Sequence, residues 1–442
     1  MPIIYVRDKR TYEIVWIEES YNSLVWTERY QEAGEFILEF PLRDVNYQYY
    51  QLGNYIQLDT RPETMIIESR NYDENGDKVF EVTGRNLSSL LERRVNASKL
   101  AKLYTTSRDP VIHYSGDYGS VIQSIVNDDL INPTVPTFTW RHTDINGNIV
   151  DGYDPDRPTS NFKVEGNVSA PYRAISNFSV RNTVTDITVD KEFSEVKTLY
   201  DILVSISKKY VTGFRVVLEN GTFVLETYKG TDRSTKQQTL NPLIFAHAMD
   251  NLEYINKFDD ATSYKNVCLV YSDDSWAPSE YNVSMGSSIY PGFSWVPDSD
   301  ETTNESLSGL DRIELPKKSS TSVSSYDPSS YYYPEMGEEP DPNDWIITKL
   351  TNEGKEEFDS DDYKLIETSE GAIANRVGYE YGVDYFLGDS IEIITPEGVA
   401  EKCLVDEVVI SYDSNGYTIT PNFKNLEDYD YGEDEEEGEE EK

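Results

Sequence analysis

Apolar and polar residues alternate along many short segments at both ends of the chain, and the middle of the chain has a different spacing. In Tyr55-Ile56-Gln57-Leu58 and Ser390-Ile391-Glu392-Ile393 every second residue is apolar. A period of two residues turns one face of a β-strand toward a core. The N-terminal part has six predicted strands: Tyr12–Ile17, Ser23–Tyr30, Glu35–Phe40, Tyr55–Asp59, Met65–Ser69 and Lys78–Val82. With a short helix capped by Asn86, they predict a first β-barrel over residues 1–98.

A Leu-Gly pair followed by an Asn-Gly pair occurs once near each end of the chain. The positions that define this repeat are Leu52, Gly53, Asn75, Gly76, Leu387, Gly388, Asp389, Asn415 and Gly416. The Leu-Gly pairs are 335 residues apart and the Asn-Gly pairs 340 residues apart, so an insertion of five residues relates the two copies. Asn-Gly suits a two-residue type I′ hairpin turn, which needs positive φ at both central residues. Chance is the alternative, because this is ordinary hairpin chemistry, but two ordered elements at nearly one offset favour a duplicated β-unit with a structural or interface role.

The central region has the spacing of helices. Val121, Ile122, Ile125 and Val126 form one stripe after Asp117, and a second stripe runs through Leu199, Ile202, Leu203, Ile206 and Tyr210. Apolar residues three and four apart share one helix face. A hairpin across Asn220-Gly221 follows the second helix, which we expect to end at Gly213. Helices together with a hairpin predict an α+β domain over residues 99–260.

The C-terminal region returns to strand-like sequence but is interrupted. We predict a second β-barrel over residues 261–425 with an insertion at about 272–345, which is rich in Ser, Thr, Pro and Asp. The insertion lacks the apolar periodicity needed to build its own core, so we expect it outside the barrel. A helix is predicted from Asp344 to Phe358. The predicted fold class is therefore mainly β with an α+β part: two related antiparallel β-barrels flank a central α+β domain, and an acidic tail covers residues 426–442.

Charge limits the classes of partner. The chain has 442 residues and a formal net charge of −42, with 81 acidic and 39 basic side chains. Like charge disfavours attraction to phosphate backbones and anionic membranes, so we expect no specific nucleic-acid binding and no membrane anchor. The two cysteines, Cys268 and Cys403, lie in apolar strand-like sequence and are expected to be buried free thiols, or neighbours if both strands share one barrel. No secretion signal and no apolar run long enough to span a membrane are recognisable.

Motifs for catalysis and for metal or nucleotide binding are not recognisable. His113, His142 and His247 are isolated, and the sequence has no zinc spacing, Walker loop or nucleophile elbow. The stretch after Asp144 has calcium-like ligands but lacks the Gly and Glu of an EF-hand, so a polar loop is the better interpretation and a weak calcium site the alternative. A catalytic pair of carboxylates, as in glycan hydrolases, stays an alternative, because only the distance between the two groups in the folded protein is diagnostic. We predict no catalytic residue, cofactor or metal ligand. The 34 tyrosines suit interfaces and half-buried strands alike.

The order of several turn and strand motifs resembles that of the tail-hub proteins of long-tailed bacteriophages, also called baseplate hub or tail-associated proteins. The matching segments are Gly378–Asp389, Ile419–Phe423, Gly84–Leu87, Leu90–Arg94 and Tyr264–Val267. The resemblance as a whole covers about two thirds of the chain and leaves residues 132–190 and 272–345 unmatched.

The resemblance implies a structural, non-enzymatic virion protein at the tail tip, made in the host cytoplasm. It implies a homotrimer that closes the distal end of the tail tube, adapts sixfold to threefold symmetry and forms part of the DNA passage. The implied partners are further copies of the chain, a hexameric ring of the distal tail or tail tube, the tape-measure protein, and tip or fibre proteins. Some relatives carry a cell-wall hydrolase after the second barrel, and we expect none here. A tail-associated cell-wall or glycan hydrolase and a receptor-binding β-protein are the alternatives.

Overall fold

The computed structural model describes residues 2–42, 46–74, 79–102, 111–143, 149–151, 161–175, 177–237, 239–271, 293–298, 306–319, 342–359, 363, 366–373, 379–395, 398–413 and 416–426. Seven strands form the N-terminal part: β1 Ile4–Arg7, β2 Ile14–Glu18, β3 Ser23–Arg29, β4 Glu35–Pro41, β5 Tyr55–Leu58, β6 Thr64–Tyr72 and β7 Val79–Asn86. Alternation is clearest in β7, which buries every second side chain along its whole length.

The central part combines eight strands and two helices. The strands are β8 Ile112–Asp117, β9 Thr134–Thr143, β10 Ile149–Asp151, β11 Asn161–Ser169, β12 Phe178–Asn182, β13 Thr188–Phe193, β14 Gly213–Glu219 and β15 Thr222–Tyr228. The helices are α1 Tyr118–Val126 and α2 Leu199–Tyr210, and both bury the predicted apolar stripes in one core with β8, β13, β14 and β15.

Nine strands and a third helix complete the described chain. They are β16 Ile244–Phe245, β17 Leu252–Asp260, β18 Val267–Tyr271, β19 Phe293–Pro297, β20 Glu314–Lys318, α3 Pro342–Asp359, β21 Ile366–Ile373, β22 Ser390–Ile394, β23 Ala400–Asp413 and β24 Gly416–Asn425. Short helical turns occupy Leu87–Arg93, Ala97–Lys99, Asn127–Ile131, Pro171–Arg173, His247–Met249 and Gly309–Asp311. The protein is mainly β, as predicted.

One large sheet joins the two ends of the chain. Its main path is β17-β21-β24-β23-β3-β4-β7-β6-β5-β1-β2, and β22 pairs with both β23 and β16. Within the described residues the paired strands form open sheets, so the two closed barrels stay a prediction. A single apolar core lies under the sheet and contains Trp26 and Phe36 from the first half of the chain and Ile391 and Phe423 from the second.

The strand order inside this sheet repeats. We define the first unit as β3-β4-β7-β6-β5 and the second unit as β17-β21-β24-β23-β22, in order of pairing. Each unit has a bulge at the same place, between Ile67 and Ser69 on β6 and between Val405 and Glu407 on β23. A bulge adds one residue to one strand and bends it. The two five-strand units thus have the same strand order and a bulge at the same place. The repeat therefore extends beyond the motifs that predicted it.

Several predictions about helix ends and hairpin turns can be compared directly with the structure. The side chains of Asn86 and Asp117 cap their helices, and the α3 helix contains the predicted span. Asn220 and Gly221 have φ of +50° and +79°, as the predicted hairpin requires. The predicted C-terminus of α2 was placed two residues late: Val211, at φ +47°, takes the left-handed position that we assigned to Gly213.

Two strands lie outside the parts to which the sequence assigned them. The boundary at residue 260 would leave β17 in the α+β domain, whereas β17 pairs with β21 in the large sheet. Strand β18, expected in the second barrel, forms a separate sheet with β19 and β20. Described parts of the insertion contribute Val296 and Leu315 to a small core, whose other members, among them Cys268 and Leu350, come from β18 and α3. Cys268 and Cys403 are buried free thiols in different cores.

Candidate functional site at the seam between the two units

The seam is the ladder between β3 and β23 together with Tyr30, and it joins the first unit to the second. Leu24 to Arg29 pair antiparallel with Glu407 to Tyr412, and Arg29 lies opposite Glu407. The Arg29 guanidinium donates hydrogen bonds to Glu407 through Nε and to Glu35 through Nη2, the latter at 2.8 Å. The two units therefore share continuous backbone pairing and a partly buried ion pair.

Tyr30 connects three parts of the molecule. Its ring is fully buried, and its N–H donates to the carbonyl of Asp406 at 2.9 Å. Its hydroxyl donates to the Val211 carbonyl and accepts from the Gly230 N–H, both at 3.1 Å. One side chain thus fixes the first unit against the α2–β14 connection of the central part and against the second unit.

Three glycines make room for these contacts. A Cβ on Gly388 or on Gly213 would lie 2.3 Å from Cε2 of Tyr30, and a Cβ on Gly230 would lie 1.7 Å from the backbone oxygen of Gly388. Such distances are far below van der Waals contact. Close approach of backbone and ring at the seam therefore requires glycine at all three positions.

The predicted repeat residues Gly53 and Gly388 occupy equivalent turns, with φ of +86° and +88°. The Gly53 N–H donates to the Ile67 carbonyl and the Gly388 N–H to the Val405 carbonyl, both at 2.8 Å. Ile67 and Val405 each return a hydrogen bond to the residue after the glycine. The backbone of the two turns is thus bonded in the same way, immediately before β5 and β22.

The residues beside these glycines differ in exposure. Asp389 is buried and accepts from the N–H groups of Thr231 and Phe386, and burial raises the pKa of its carboxyl. Leu387 is buried in the core, whereas Leu52 is half exposed. Gly416 has φ +131° at the start of β24. The partners Asn75, Gly76 and Asn415 lie outside the described residues, so the equivalence of the two Asn-Gly hairpins stays a prediction.

A buried carboxylate, that of Glu28, lies within the seam on β3 and was not predicted. Glu28 is 3 % exposed, accepts from the Tyr381 hydroxyl at 2.6 Å and from the Trp26 indole at 3.2 Å, and its Oε1 lies 3.8 Å from Nε of Arg61. Burial, and then the nearby Glu63 carboxylate, raise the pKa of Glu28 to about 8. The available sequence signal was that Glu28 shares the inward face of β3 with Leu24 and Trp26.

We expect Glu28 to make stability depend on pH. Its pKa rises from 4.5 to about 8 on folding, so the folded protein binds the proton more tightly than the unfolded chain. This stabilising contribution is complete below pH 4.5, declines as pH rises, and is lost above about pH 8. Glu28→Gln keeps a neutral side chain at every pH, so thermal melts from pH 5 to 9 should change less steeply with pH than those of the wild type. Glu19→Gln, at an exposed position, is the control, and equal pH dependence in Glu28→Gln and wild type would exclude this role.

The predictions on metal ligands, isolated histidines and membrane spans can also be compared with the structure. No group of three or more His, Cys, Asp or Glu side chains among the described residues is placed to hold a metal ion. His113 contacts Asp190 in an exposed pair on β8 and β13. No helix within the described ranges is long and apolar enough to cross a lipid bilayer.

Comparison with known sequences identifies the class of protein. The sequence profile of a siphovirus protein family matches residues 3–423, nearly the whole chain. The chain belongs to the family of Siphovirus ReqiPepy6 Gp37-like proteins. No curated protein matches it in sequence.

Solved structures similar to this chain include three prophage or bacterial tail proteins. The 43 kDa tail protein of prophage MuSo2 from Shewanella oneidensis is 10 % identical, with a TM-score of 0.47 over 97 % of this chain and 100 % of that one. A tail protein from Neisseria meningitidis is 10 % identical, with a TM-score of 0.45 over 97 % and 98 %. The prophage tail protein gp18 from Listeria monocytogenes is 11 % identical, with a TM-score of 0.40 over 96 % and 94 %.

Proposed function

We propose that this siphovirus-family protein is a phage tail hub: a homotrimer at the distal end of the tail tube that adapts sixfold to threefold symmetry. The observation that supports this most directly is the repeat of five strands in the same order within one chain, joined edge to edge at the seam. Three copies of such a chain present six similar units around one axis. Closed cyclic symmetry then repeats two related kinds of joint, one within each chain and one between chains.

The partners follow from this arrangement. A hexameric ring of the tail or tail tube would dock on the six similar units, and threefold tip or fibre proteins on the other side. The tape-measure protein and then DNA would pass along the axis. The net charge of −42 suits passage, because an acidic wall removes the counterion release that drives DNA binding. The hub would be made in the host cytoplasm and located at the tail tip of the virion.

The decisive measurement is the mass of the purified chain by light scattering. We expect about three times the subunit mass of 50.6 kDa, and electron microscopy should show a threefold ring with six lobes. A stable monomer at high protein concentration would contradict the proposal. Zymography on peptidoglycan is a separate check, since clearing by the purified chain would support the cell-wall hydrolase instead.

A further inference from the structure

The seam inside one chain indicates how two chains can join. Each unit has one strand edge that is unpaired among the described residues, whereas the equivalent edge of the other unit is paired at the seam. Strand β3 pairs with β4 on one edge and with β23 on the other, whereas its counterpart β17 pairs only with β21 among the described residues. Strand β23 pairs with β3 over Glu407 to Tyr412. On its counterpart β6, the segment from Ser69 to Tyr72 pairs with β7 alone within the described part of the chain. An exposed strand edge is a template for pairing with another chain.

Strand registers inside the two units show which residues correspond. In the first unit the pairs run Ile67 with Gly84, Gly84 with Phe36 and Phe36 with Trp26. In the second unit they run Val405 with Phe423, Phe423 with Ser369 and Ser369 with Lys257. Lys257 therefore corresponds to Trp26. Ile410, which pairs with Trp26 at the seam, lies five residues after Val405 and corresponds to Tyr72, five residues after Ile67.

We propose that β17 of one copy pairs antiparallel with β6 of a neighbouring copy, with Tyr72 opposite Lys257. The same register places Asn71 opposite Phe258, Arg70 opposite Asp259 and Ser69 opposite Asp260. The partner is a second copy of this chain, and the inference rests on the proposed trimer, in which three such joints alternate with the three seams. It adds to that proposal the two strands, their direction and their register.

Charge favours this register over its neighbours. Opposite charges on directly facing residues stabilise an antiparallel pair, and like charges destabilise it. The proposed register sets Arg70 against Asp259, while a slip of two residues that keeps the same faces would set Arg70 against Lys257 or Ala261.

The hydrogen-bond pattern of the seam also indicates which facing residues of the proposed joint would have the shorter Cα–Cα distance. The hydrogen bond from the Tyr30 N–H to the Asp406 carbonyl makes Arg29 and Glu407 a non-hydrogen-bonded pair. Such pairs bring Cα atoms to about 4.5 Å, within the range that a disulfide spans. Ser69 and Asp260 correspond to Glu407 and Arg29, so they are the positions to cross-link.

Disulfide trapping tests the joint. The full-length variant Ser69→Cys/Asp260→Cys, mildly oxidised, should give covalent dimers and trimers on a non-reducing gel, and peptide mapping should link positions 69 and 260. The matched control, Ser69→Cys/Phe258→Cys, keeps the same faces but is two residues out of register and should give no such link. Wild type under the same oxidant controls for Cys268 and Cys403, which are buried.

Light scattering of the same samples under reducing conditions separates the two proposals. A trimer that fails to cross-link, or that cross-links in the control instead, overturns the register and leaves the hub standing. A monomer overturns both. As a second variant set, Arg70→Asp and Asp259→Arg should each lower the trimer fraction and should restore it when combined; no recovery in the combination would also overturn the register.

Discussion

Replacing Gly388 with alanine is expected to destabilise the protein much more than replacing Gly53, although the two glycines have nearly the same φ. Gly53→Ala introduces left-handed strain of roughly 1–2 kcal/mol, and its new Cβ meets only the flexible Lys9 side chain, at 3.1 Å. Gly388→Ala introduces the same strain, but its Cβ would lie 2.3 Å from the buried Tyr30 ring. Overpacking of a rigid core adds about 1–3 kcal/mol.

Urea unfolding of both variants, followed by intrinsic fluorescence, measures this difference. The repeat makes Gly53→Ala a matched control, since backbone conformation and hydrogen bonding are the same at both turns. We expect a small shift of the midpoint for Gly53→Ala and a large one for Gly388→Ala. Similar shifts would mean that the Tyr30 ring moves aside and that the seam is loosely packed.

Tyr30→Ala should produce the largest loss of folding stability. Truncation of a fully buried aromatic side chain costs about 3–5 kcal/mol, and here it also leaves the Val211 carbonyl and the Gly230 N–H without their buried partner. Because Tyr30 contacts all three parts of the molecule, we expect thermal unfolding to split into separate transitions and limited proteolysis to cut between the parts.

Two further tyrosine variants show which part of the Tyr30 side chain causes the loss of stability. Tyr30→Phe keeps the ring and removes only the hydroxyl, so it should lie between wild type and Tyr30→Ala in stability. Tyr172→Ala removes the same side chain at a position that is 81 % exposed and should leave the melting curve unchanged. A Tyr30→Ala protein that melts like Tyr172→Ala would show that the seam does not depend on this anchor.

Local pattern predicted the elements well where one face of an element is buried. The stripes of α1 and α2 and the Asn220-Gly221 hairpin correspond to observed elements. Strands also form at β5 and β22, but β22 buries residues on both of its faces. Periodicity reports which face meets a core, but it carries no information on which strand lies alongside. For that reason the placement of β17 and β18 was missed.

The candidate site was only partly accessible from the sequence. Gly53 and Gly388 stood out because the Leu-Gly and Asn-Gly pairs recur at nearly one offset, whereas their positive φ values come from the structure. Glu28 and Tyr30 did not, since their roles depend on Tyr381, Val211 and Gly230, which come from segments far apart along the chain. The polar sequence of β21, Ile366–Ile373, likewise gave no strand signal and takes its place by pairing between β17 and β24.

The seam has a consequence for the order in which the chain can fold during its synthesis. Arg29 and Glu407 are 378 residues apart, so β3 waits for its partner while that many further residues are synthesised. At bacterial and other translation rates of about 5–20 residues per second, that interval is roughly 20–80 seconds. Throughout it the nascent chain exposes an edge strand next to Trp26 and Tyr30, and neighbouring nascent chains on one message carry the same edge. Contacts of such long range also make folding slow. Folding of this protein is therefore most exposed to mispairing before β23 emerges from the ribosome.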